Sequence, residues 1–390
     1  MNIKQKIKDI VPEMIEWRHQ IHEKPEIAYQ EKVTSKFIAD KLKNFGVEVI
    51  QDFGKTGVVG IIRGKKSKGQ EKSIAIRADM DALPMTEKTN LPYSSKNEGA
   101  MHACGHDGHS TMLLGAAKYL SETKNFYGKV YCVFQPAEEG GNAGAMAMIN
   151  DGLFKKFKID SVWGIHNWPG IPVGEAVIHE GFAMAGGDII VIDIKGKGGH
   201  AAQPQYANDP MVAAGLTITA LQSLISRQLD PFKSAVLSIT KIAGGSAFNV
   251  IPDNITIGGT LRSTDQKNRN MMLDKIKKVV TNACAISNCE VSIEIRPGYP
   301  PTINNKECAK LASKIFKKTY GENSINLNET PTMGSEDFSY MLEEKPGAYI
   351  WLGAGVNSEK LHSPFYDFND ELLPVGAQYW SDLAENILVE

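Results

Sequence analysis

Short runs rich in valine and isoleucine alternate with helical segments along the first half of the chain, and this alternation constrains the fold most. Helical apolar spacing covers Ile3–His22 and Gln30–Phe45, and Gly46 ends the second segment. The strand-like runs that follow are VEVIQDF, GVVGIIRG, SIAIRAD, KVYCVFQP and SVWGIHNWP, with helical stretches between several of them at Ser110–Ser121 and Asn142–Asn150. This order predicts an α/β domain with a mainly parallel sheet flanked by helices.

A second pattern begins near Gly186 and has the order strand, helix, strand, strand, helix, strand. Its strand-like runs are DIIVIDIKGK, AVLSITKIAGG, ITIGGTLRS and EVSIEIRP. The first helix is predicted to begin with Asp209 as its cap and Pro210 at its first position. This β-α-β-β-α-β order is typical of a ferredoxin-like layer. After it, the α/β pattern returns with a helix near Asn304–Tyr320 and the strand AYIWLGAG.

The interrupted α/β pattern predicts two domains. A chain of 390 residues exceeds the length that one hydrophobic core commonly supports. The first domain is predicted to be discontinuous and to cover residues 1–185 and 300–390. The inserted ferredoxin-like domain is predicted to cover residues 186–299.

Composition and charge exclude several classes of protein. The net charge of −2 gives no basic footprint for nucleic acid or for an anionic membrane surface. The sequence contains no apolar run of about 18 residues, the length expected of a membrane span. The five cysteines are scattered and odd in number, which does not resemble a disulfide framework. With no signal peptide recognisable at the N-terminus, these features predict a cytoplasmic protein with reduced thiols.

Polar clusters follow four of the predicted strands. They are RADMDALP, PAEEGG, HNWP and LHSP, at Arg77–Pro84, Pro136–Gly141, His166–Pro169 and Leu361–Pro364. In open α/β sheets, sites form in the crevice beyond the carboxyl ends of the strands. Ligand-type residues that are far apart in the sequence are therefore expected to converge there.

The nonapeptide MHACGHDGH, Met101–His109, holds one cysteine, three histidines and an aspartate. Cys104 and His106 lie two residues apart on a glycine-hinged loop and could bind one ion together. His102 and His109 are interpreted as orienting or surface residues, and the aspartate as support for the helix start. The following helix N-terminus is expected to favour the thiolate of Cys104. Two alternatives stay open at this point, a buried polar loop without a ligand and a cysteine nucleophile with His106 as base.

Two adjacent carboxylates, Glu138 and Glu139, follow the apolar strand VYCVF directly, where like charges need a positive neighbour. Such a pair would let one carboxylate bind a metal while the other moves protons. His166 at a strand end and His362 in LHSP are further candidates. GKGGHA, residues 196–201, fits a dinucleotide-binding pattern, but no helix follows it at once, which argues against a phosphate site.

Taken together, the motifs resemble one family of enzymes. RADMDALP, MHACGHDGHSTMLLGAA, FQPAEEGG, GIHNWP, GKGGHAAQP, FNVIPD, GTLR, GSEDF and LHSP occur here in one order. This series resembles the metal-dependent amidohydrolases that include hippurate hydrolases, N-acyl-amino-acid deacylases and plant indoleacetyl-amino-acid hydrolases. They form a branch of the aminoacylase/carboxypeptidase family of dinuclear metalloenzymes. The resemblance covers essentially the whole chain.

The resemblance implies a site with two divalent cations. Cys104 corresponds to the bridging ligand, which is an aspartate in the wider family. Glu138 corresponds to the general base. The remaining ligands implied are His106 and His166 for one cation, and Glu139 and His362 for the other. The donor types suit Zn²⁺ best, while Mn²⁺, Co²⁺ or Ni²⁺ would also fit.

This chain departs from the wider family at one position. Where other branches carry a metal-binding histidine, Arg77 stands two residues before Asp79, and an arginine cannot bind a cation. The resemblance therefore implies that His106 supplies that imidazole and that Asp79 has an orienting role in catalysis. Asp81 is a further candidate for that role.

The resemblance also assigns a role to the inserted domain, which corresponds to a lid and dimerisation domain. His200 corresponds to a lid histidine that reaches the active site of the neighbouring subunit and stabilises the oxyanion. Asn249 and Arg262 correspond to lid residues near the substrate, and Arg262 could hold a carboxylate. The chain is therefore expected to form a homodimer or a higher homo-oligomer.

The implied reaction is hydrolysis of the amide bond of an N-acyl amino acid such as hippurate, which releases a carboxylic acid and a free amino acid. An N-acetylated diamino acid, a dipeptide or an aminoacylase substrate is the alternative within this class of enzyme. A non-catalytic protein that binds acylated ligands is a further alternative. Binding alone requires no general base, so Glu138 argues against it.

Overall fold

The computed structural model describes residues 3–66 and 71–390, and the chain divides into two compact units. The large unit comprises Met1–Ala183, Ile303–Pro331 and Asp337–Glu390. The small unit comprises Met184–Thr302 and Thr332–Glu336. Each unit therefore has a core of its own.

The described residues form the following elements. The helices are α1 Gln5–His22, α2 Lys32–Asn44, α3 His106–Thr123, α4 Gly144–Asn150, α5 Leu153–Lys156, α6 Pro210–Gln228, α7 Gln266–Ala285, α8 Lys306–Tyr320, α9 Ser339–Glu344 and α10 Leu372–Ile387. The strands are β1 Glu48–Phe53, β2 Gly57–Arg63, β3 Ser73–Asp79, β4 Lys129–Gln135, β5 Ser161–Pro169, β6 Ala176–Val177, β7 Phe182–Met184, β8 Gly186–Lys195, β9 Gly199–His200, β10 Ala235–Ala243, β11 Val250–Ile251, β12 Asn254–Ser263, β13 Glu290–Pro297, β14 Thr302–Ile303 and β15 Gly347–Gly355. Short 3₁₀ helices lie at Glu139–Gly141, Pro204–Tyr206 and Glu322–Ser324.

The large unit is built on a seven-stranded sheet with the order β1-β2-β4-β3-β5-β15-β6. The pairs β4/β3, β3/β5 and β5/β15 are parallel, and the outer pairs β1/β2, β2/β4 and β15/β6 are antiparallel. Strands β2, β3 and β4 are buried along nearly their whole length, which is why they appear in the sequence as continuous apolar runs. The predicted α/β class with a mainly parallel sheet is confirmed.

Helices α1, α3 and α10 pack on one another, and α3 packs on β3. Every residue of α3 from His106 to Ala117 is buried. The core of this unit includes the large side chains Trp17, Trp163, Trp351 and Trp380. At about 25 cal/mol per Å² of apolar area buried, such residues contribute much of the free energy that stabilises the unit.

The small unit has a four-stranded antiparallel sheet with the order β10-β12-β8-β13. The chain order is β8-α6-β10-β12-α7-β13, which is the connectivity of the ferredoxin-like motif. Helix α6 begins as predicted, with Pro210 at its first position and the Asp209 carboxylate accepting hydrogen bonds from the next backbone N–H groups. Arg269 and Asp188 form a buried ion pair within the unit, at 2.7 Å.

In the part of the chain that the structure describes, no helix is both long and apolar enough to cross a membrane.

Candidate metal centre

The carboxyl ends of three parallel strands meet at one edge of the large sheet. Asp79, the last residue of β3, lies opposite Gln135, the last residue of β4. On the other side of β3, Arg77 lies opposite Gly164 of β5, so the carboxyl end of β5, with His166, lies beside Asp79. This shared edge is where sites form in open α/β sheets.

Helix α3 begins at His106, one turn earlier than the predicted start at Ser110. Gly105 precedes it with φ 87°, a left-handed conformation that favours glycine. A Cβ on Gly105 would lie 2.2 Å from Asn167 Oδ1, so the loop passes too close to β5 for any side chain at this position. His106 therefore lies at the first turn of the helix, and His109 lies one turn in rather than at the start.

The five residues that the resemblance implies as ligands fall into two groups in the structure. Within each group the candidate donor atoms lie within 4.8 Å of one another. The groups are Cys104, His106 and His166, and Cys104, Glu139 and His362. Cys104 Sγ lies 3.3 Å from His166 Nε2. Cys104 therefore belongs to two groups, each of which could hold a cation.

Asp81 orients the ring of His106. The His106 Nδ1 atom lies 2.9 Å from the Asp81 carbonyl oxygen and 3.2 Å from its Oδ1. Both are acceptors, so in the neutral ring Nδ1 carries the proton and Nε2 presents a lone pair. Nε2 is buried, and nothing among the described residues hydrogen-bonds to it. The other Asp81 oxygen accepts the backbone N–H of Glu139 at 2.9 Å, so one carboxylate fixes two candidate ligands.

The electrostatics of this group fit bound cations. Burial, followed by the charges of Glu139, Glu138 and Asp79, raises the pKa of the Cys104 thiol well above its usual range. Without cations, burial and the carboxylates therefore outweigh the helix N-terminus, which was expected to favour the thiolate. Burial lowers the pKa of His106, but Asp79 and other carboxylates raise it to about 10. A thiolate at Cys104 thus requires positive charge beside it. Divalent cations bound by this set of thiolate, imidazole and carboxylate donors would supply that charge.

Asp79 lies at the centre of a chain of buried hydrogen bonds. Its Oδ1 contacts His109 Nδ1 at 2.6 Å, and its Oδ2 accepts from Arg77 Nη1 at 2.7 Å. The far ring nitrogen of His109 lies 3.0 Å from the backbone N–H of Asn167, which donates to it. Burial raises the pKa of Asp79, but the charges of His106, Arg77 and His109 lower it well below its usual range. Asp79 is thus held as an anion that orients its neighbours.

Glu138 and Glu139 follow β4 on a constrained segment. Ala137 has φ 51°, a conformation that residues other than glycine rarely adopt. Its backbone N–H donates to Glu31 Oε1 at 3.0 Å, and Glu31 is itself buried. Glu138 is buried, and a carboxylate oxygen of it lies within 4.8 Å of candidate donor atoms of His106 and Glu139. The two adjacent carboxylates therefore both face the candidate cation positions.

His362 reaches the site from the loop after β15. Its Nε2 lies 3.2 Å from Glu139 Oε1, and its backbone N–H donates to the carbonyl of Ala103 at 2.8 Å. Its φ of 64° is also left-handed, and such backbone persists where surrounding contacts fix it. About half of the side chain is exposed, so His362 lies at the rim of the group.

The candidate substrate residues lie in the small unit. His200 on β9 is exposed, and Asn249 lies beside it because the Asn249 carbonyl accepts the N–H of Ala201 at 3.0 Å. Arg262 lies near the far end of β12, where its Nη1 donates to Ser335 Oγ at 2.5 Å. Since Asn254 begins β12, Arg262 is about 26 Å from the end near His200 at about 3.3 Å per residue.

A buried ionic network that the sequence did not reveal anchors the start of α3 to α1. Asp107 Oδ2 lies 2.8 Å from His22 Nδ1 and 3.2 Å from Arg18 Nη1. Arg18 also contacts Asp367 at 2.9 Å. Nearby His102 is buried, and neither of its ring nitrogens bonds to a described residue. Burial lowers the pKa of His102 to about 4, so this histidine is neutral. The network explains how Asp107 supports the loop that carries His106.

The His22–Asp107 contact predicts a loss of stability at alkaline pH. Burial lowers the pKa of His22, but hydrogen bonds to Asp107 and Glu87 outweigh it and raise the pKa to about 9. Because the folded-state pKa of His22 is raised, its contact with Asp107 stabilises the fold fully at pH values below the unfolded-state pKa of 6.5. This stabilisation is lost as the pH rises through about 9. We expect His22→Gln to remove of the order of 2–3 kcal/mol at pH 6 and little at pH 10.

Denaturant unfolding of the native protein and of H22Q at several pH values measures this difference. His179→Gln is the matched control, because burial lowers the pKa of His179 and its ring is neutral above pH 7. A native-minus-H22Q difference that does not shrink between pH 7 and pH 10 would contradict the role of the His22 charge.

Comparisons with known proteins show what the whole chain is similar to. The model of peptidase family M20/M25/M40 matches residues 75–386. The chain is 46% identical to a hippurate hydrolase of Campylobacter jejuni over 384 residues, which is 98% of this chain and 99% of the relative. It is 42% identical to the IAA-amino acid hydrolase ILR1-like 2 of Arabidopsis thaliana, over 97% of this chain and 87% of the relative.

A solved structure is also similar over nearly its whole length. It is a dinuclear metal-binding peptidase of family M20 from Bacillus subtilis, 33% identical in sequence, with a TM-score of 0.85. The match covers 98% of this chain and 99% of that chain. The similarity therefore extends through both units.

Proposed function

The chain belongs to peptidase family M20/M25/M40, and on that basis we propose which of its residues hold the metals and move the proton. It is a metal-dependent amidohydrolase of the dinuclear type. The reaction is hydrolysis of the amide bond of an N-acyl amino acid, hippurate-like in kind, to a carboxylic acid and a free amino acid. The resemblance found in the sequence is confirmed.

One observation carries the assignment of the ligands. Two groups of three donor atoms, each within 4.8 Å, share Cys104. His106 and His166 complete the first cation position, and Glu139 and His362 complete the second. When bound, two divalent cations polarise the amide carbonyl and lower the pKa of water toward neutrality. Zn²⁺ suits the thiolate and imidazole donors best, and Mn²⁺, Co²⁺ and Ni²⁺ are the other candidates.

Glu138 is the general base and then the general acid. Its buried carboxylate accepts a proton from the attacking water and returns it to the nitrogen of the leaving amino acid. Glu139 does not share this role, because its Oε1 is directed to His362 at 3.2 Å. Asp79 orients His109, and Asp81 orients His106, so both carboxylates act through other residues.

The small unit supplies the substrate contacts and the contact between subunits. Arg262 holds the carboxylate of the amino acid, and its planar fork suits that group. His200 stabilises the oxyanion, with Asn249 beside it. Because Arg262 and His200 lie near opposite ends of β12, the same small unit does not bring both to one compact site. Of the two, His200 is the residue that reaches the active site of the partner subunit in a homodimer.

Surface features of the small unit support such a dimer. Strand β10 is an edge strand, and it exposes Val236 and Ile242. Helix α6 exposes Met211, Val212 and Leu216. An unpaired edge next to exposed apolar side chains is typical of an interface between copies of a chain.

A cytoplasmic location stays a prediction of the sequence.

Metal analysis and a substrate screen test this function. We expect about two divalent ions per chain and hydrolysis among benzoyl, acetyl and indoleacetyl amino acids. Removal of metal by a chelator is expected to abolish hydrolysis, and Zn²⁺ or Mn²⁺ to restore it. Buffer exchange without chelator is the control. Full activity of the metal-free protein would contradict the assignment and favour a cysteine nucleophile.

A further inference from the structure

Two tryptophans stack beside the candidate metal centre. The indole rings of Trp168 and Trp351 are nearly parallel, with centroids 3.9 Å apart and an interplanar angle of 7°. The ring of His179 is nearly perpendicular to that of Trp351, with centroids 4.9 Å apart. Trp351 therefore contacts two other rings, and Trp168 stacks on a buried indole. We call Trp168 and Trp351 the indole platform.

The register of the strands places this platform next to a candidate ligand. Trp168 lies two residues after His166 on β5, so both side chains are on the same face of the sheet. On the neighbouring strand β15, Trp351 lies directly opposite His166. The ring centroids of Trp168 and His166 are 6.0 Å apart. The platform therefore borders His166, one of the candidate metal ligands.

Trp168 is the part of this aromatic group that solvent reaches. Trp351 and Tyr349, which also borders His166, are each only 1% exposed. Trp168 is partly exposed. A tryptophan needed only for the core would be expected to be buried like Trp351. An accessible indole on a rigid base offers a flat apolar surface at little cost in side-chain entropy.

We propose that Trp168 binds the ring of an aromatic acyl group and so selects N-aroyl and N-arylacyl amino acids over N-acetyl ones. This inference rests on the proposed function and specifies its substrate class. In a hippurate-type substrate the only ring is bonded to the acyl carbonyl, which must lie at the metal centre beside His166. Offset or edge-to-face packing of that ring on the indole would stabilise the bound substrate.

Substitutions at Trp168 test the proposal. For Trp168→Leu we expect the ratio of kcat/KM for benzoylglycine to kcat/KM for acetylglycine to fall by about tenfold. Trp168→Phe keeps an aromatic face and is expected to retain most of the ratio. Tyr127→Leu, at a partly exposed tyrosine after α3 and before β4, is the control and is expected to leave the ratio unchanged. Metal content is measured in every variant.

Binding of benzoate and acetate, measured by calorimetry on the metal-loaded protein, gives a second readout that needs no turnover. We expect W168L to weaken benzoate binding by about tenfold and acetate binding little. If the native protein hydrolysed no N-acyl amino acid, the proposed function would fail, while selective loss of benzoate binding would still support the ring site. W168M repeats both measurements if W168L does not fold.

Three results would overturn the proposal. The first is an unchanged substrate ratio together with unchanged benzoate binding in W168L. The second is an equal loss for benzoylglycine and acetylglycine with normal metal content, which indicates a structural role. The third is a selective loss for N-acetylphenylalanine instead of benzoylglycine, which places the ring site on the amino-acid side of the amide.

Discussion

Replacing Glu138 by alanine or glutamine is expected to reduce kcat by about 10³-fold while the protein still binds both cations. The reason is that Glu138 contributes a proton acceptor and belongs to neither of the two donor groups that share Cys104. Positioned general bases contribute about 10²–10⁴-fold in rate, and the expected loss lies within that range. Steady-state kinetics together with metal analysis of the purified E138A and E138Q proteins measures both effects.

The neighbouring carboxylate provides the matched control. Glu139→Gln changes the same chemical group one residue along, but Glu139 belongs to the donor group with Cys104 and His362. We expect E139Q to lose metal at that position and to lose activity with it, and excess metal to restore part of the activity. An E138Q enzyme that turns over at the native rate, or that regains activity with added metal, would contradict the role of Glu138.

Much of the fold could be predicted from local patterns. Strands β2, β3 and β4 are apolar over nearly their full length because both faces are buried. They can therefore be recognised in the sequence as continuous apolar runs. The start of α6 was predictable because Asp209 and Pro210 act within a few residues of each other. The start of α3 was not, because histidine and glycine are weak helix formers and the left-handed turn at Gly105 decides it.

The candidate site was predictable where it depends on strand ends and less so where it depends on long-range contacts. Glu139 follows β4 and His166 lies within β5. Sites in open sheets form at the carboxyl ends of the strands, so these two residues could be expected to lie close together. The links made by Asp81 depend on the orientation of a single carboxylate between His106 and Glu139. The His22–Asp107 contact joins residues 85 positions apart, and no local pattern indicates it.

The metal hypothesis and the nucleophile hypothesis require different surroundings for the Cys104 thiol. A nucleophilic cysteine needs a depressed thiol pKa and a neighbouring protonated histidine. Here burial and carboxylates raise the pKa of Cys104, and burial lowers the pKa of His166, whose Nε2 lies 3.3 Å from the sulfur. Both shifts disfavour a pair of the Cys104 thiolate with protonated His166. His106, the base of the nucleophile hypothesis, has a pKa raised to about 10, so against that pair it is the raised pKa of the Cys104 thiol that argues. A thiolate between two cations is stabilised by their charge.

Substituting Cys104 separates the two hypotheses by chemistry rather than by loss of activity alone. Cys104→Ala should lower activity and metal affinity by more than about 100-fold, because it removes the donor that both groups share. Cys104→Asp supplies carboxylate oxygens that can bridge two cations, and we expect activity at least about tenfold above that of C104A. Cys132→Ala, at a buried cysteine within β4, is the control for loss of a thiol and is expected to keep both metals. Since an aspartate cannot replace a thiolate that attacks the amide as a soft nucleophile, a C104D protein with full metal content and no more activity than C104A would exclude the bridging role.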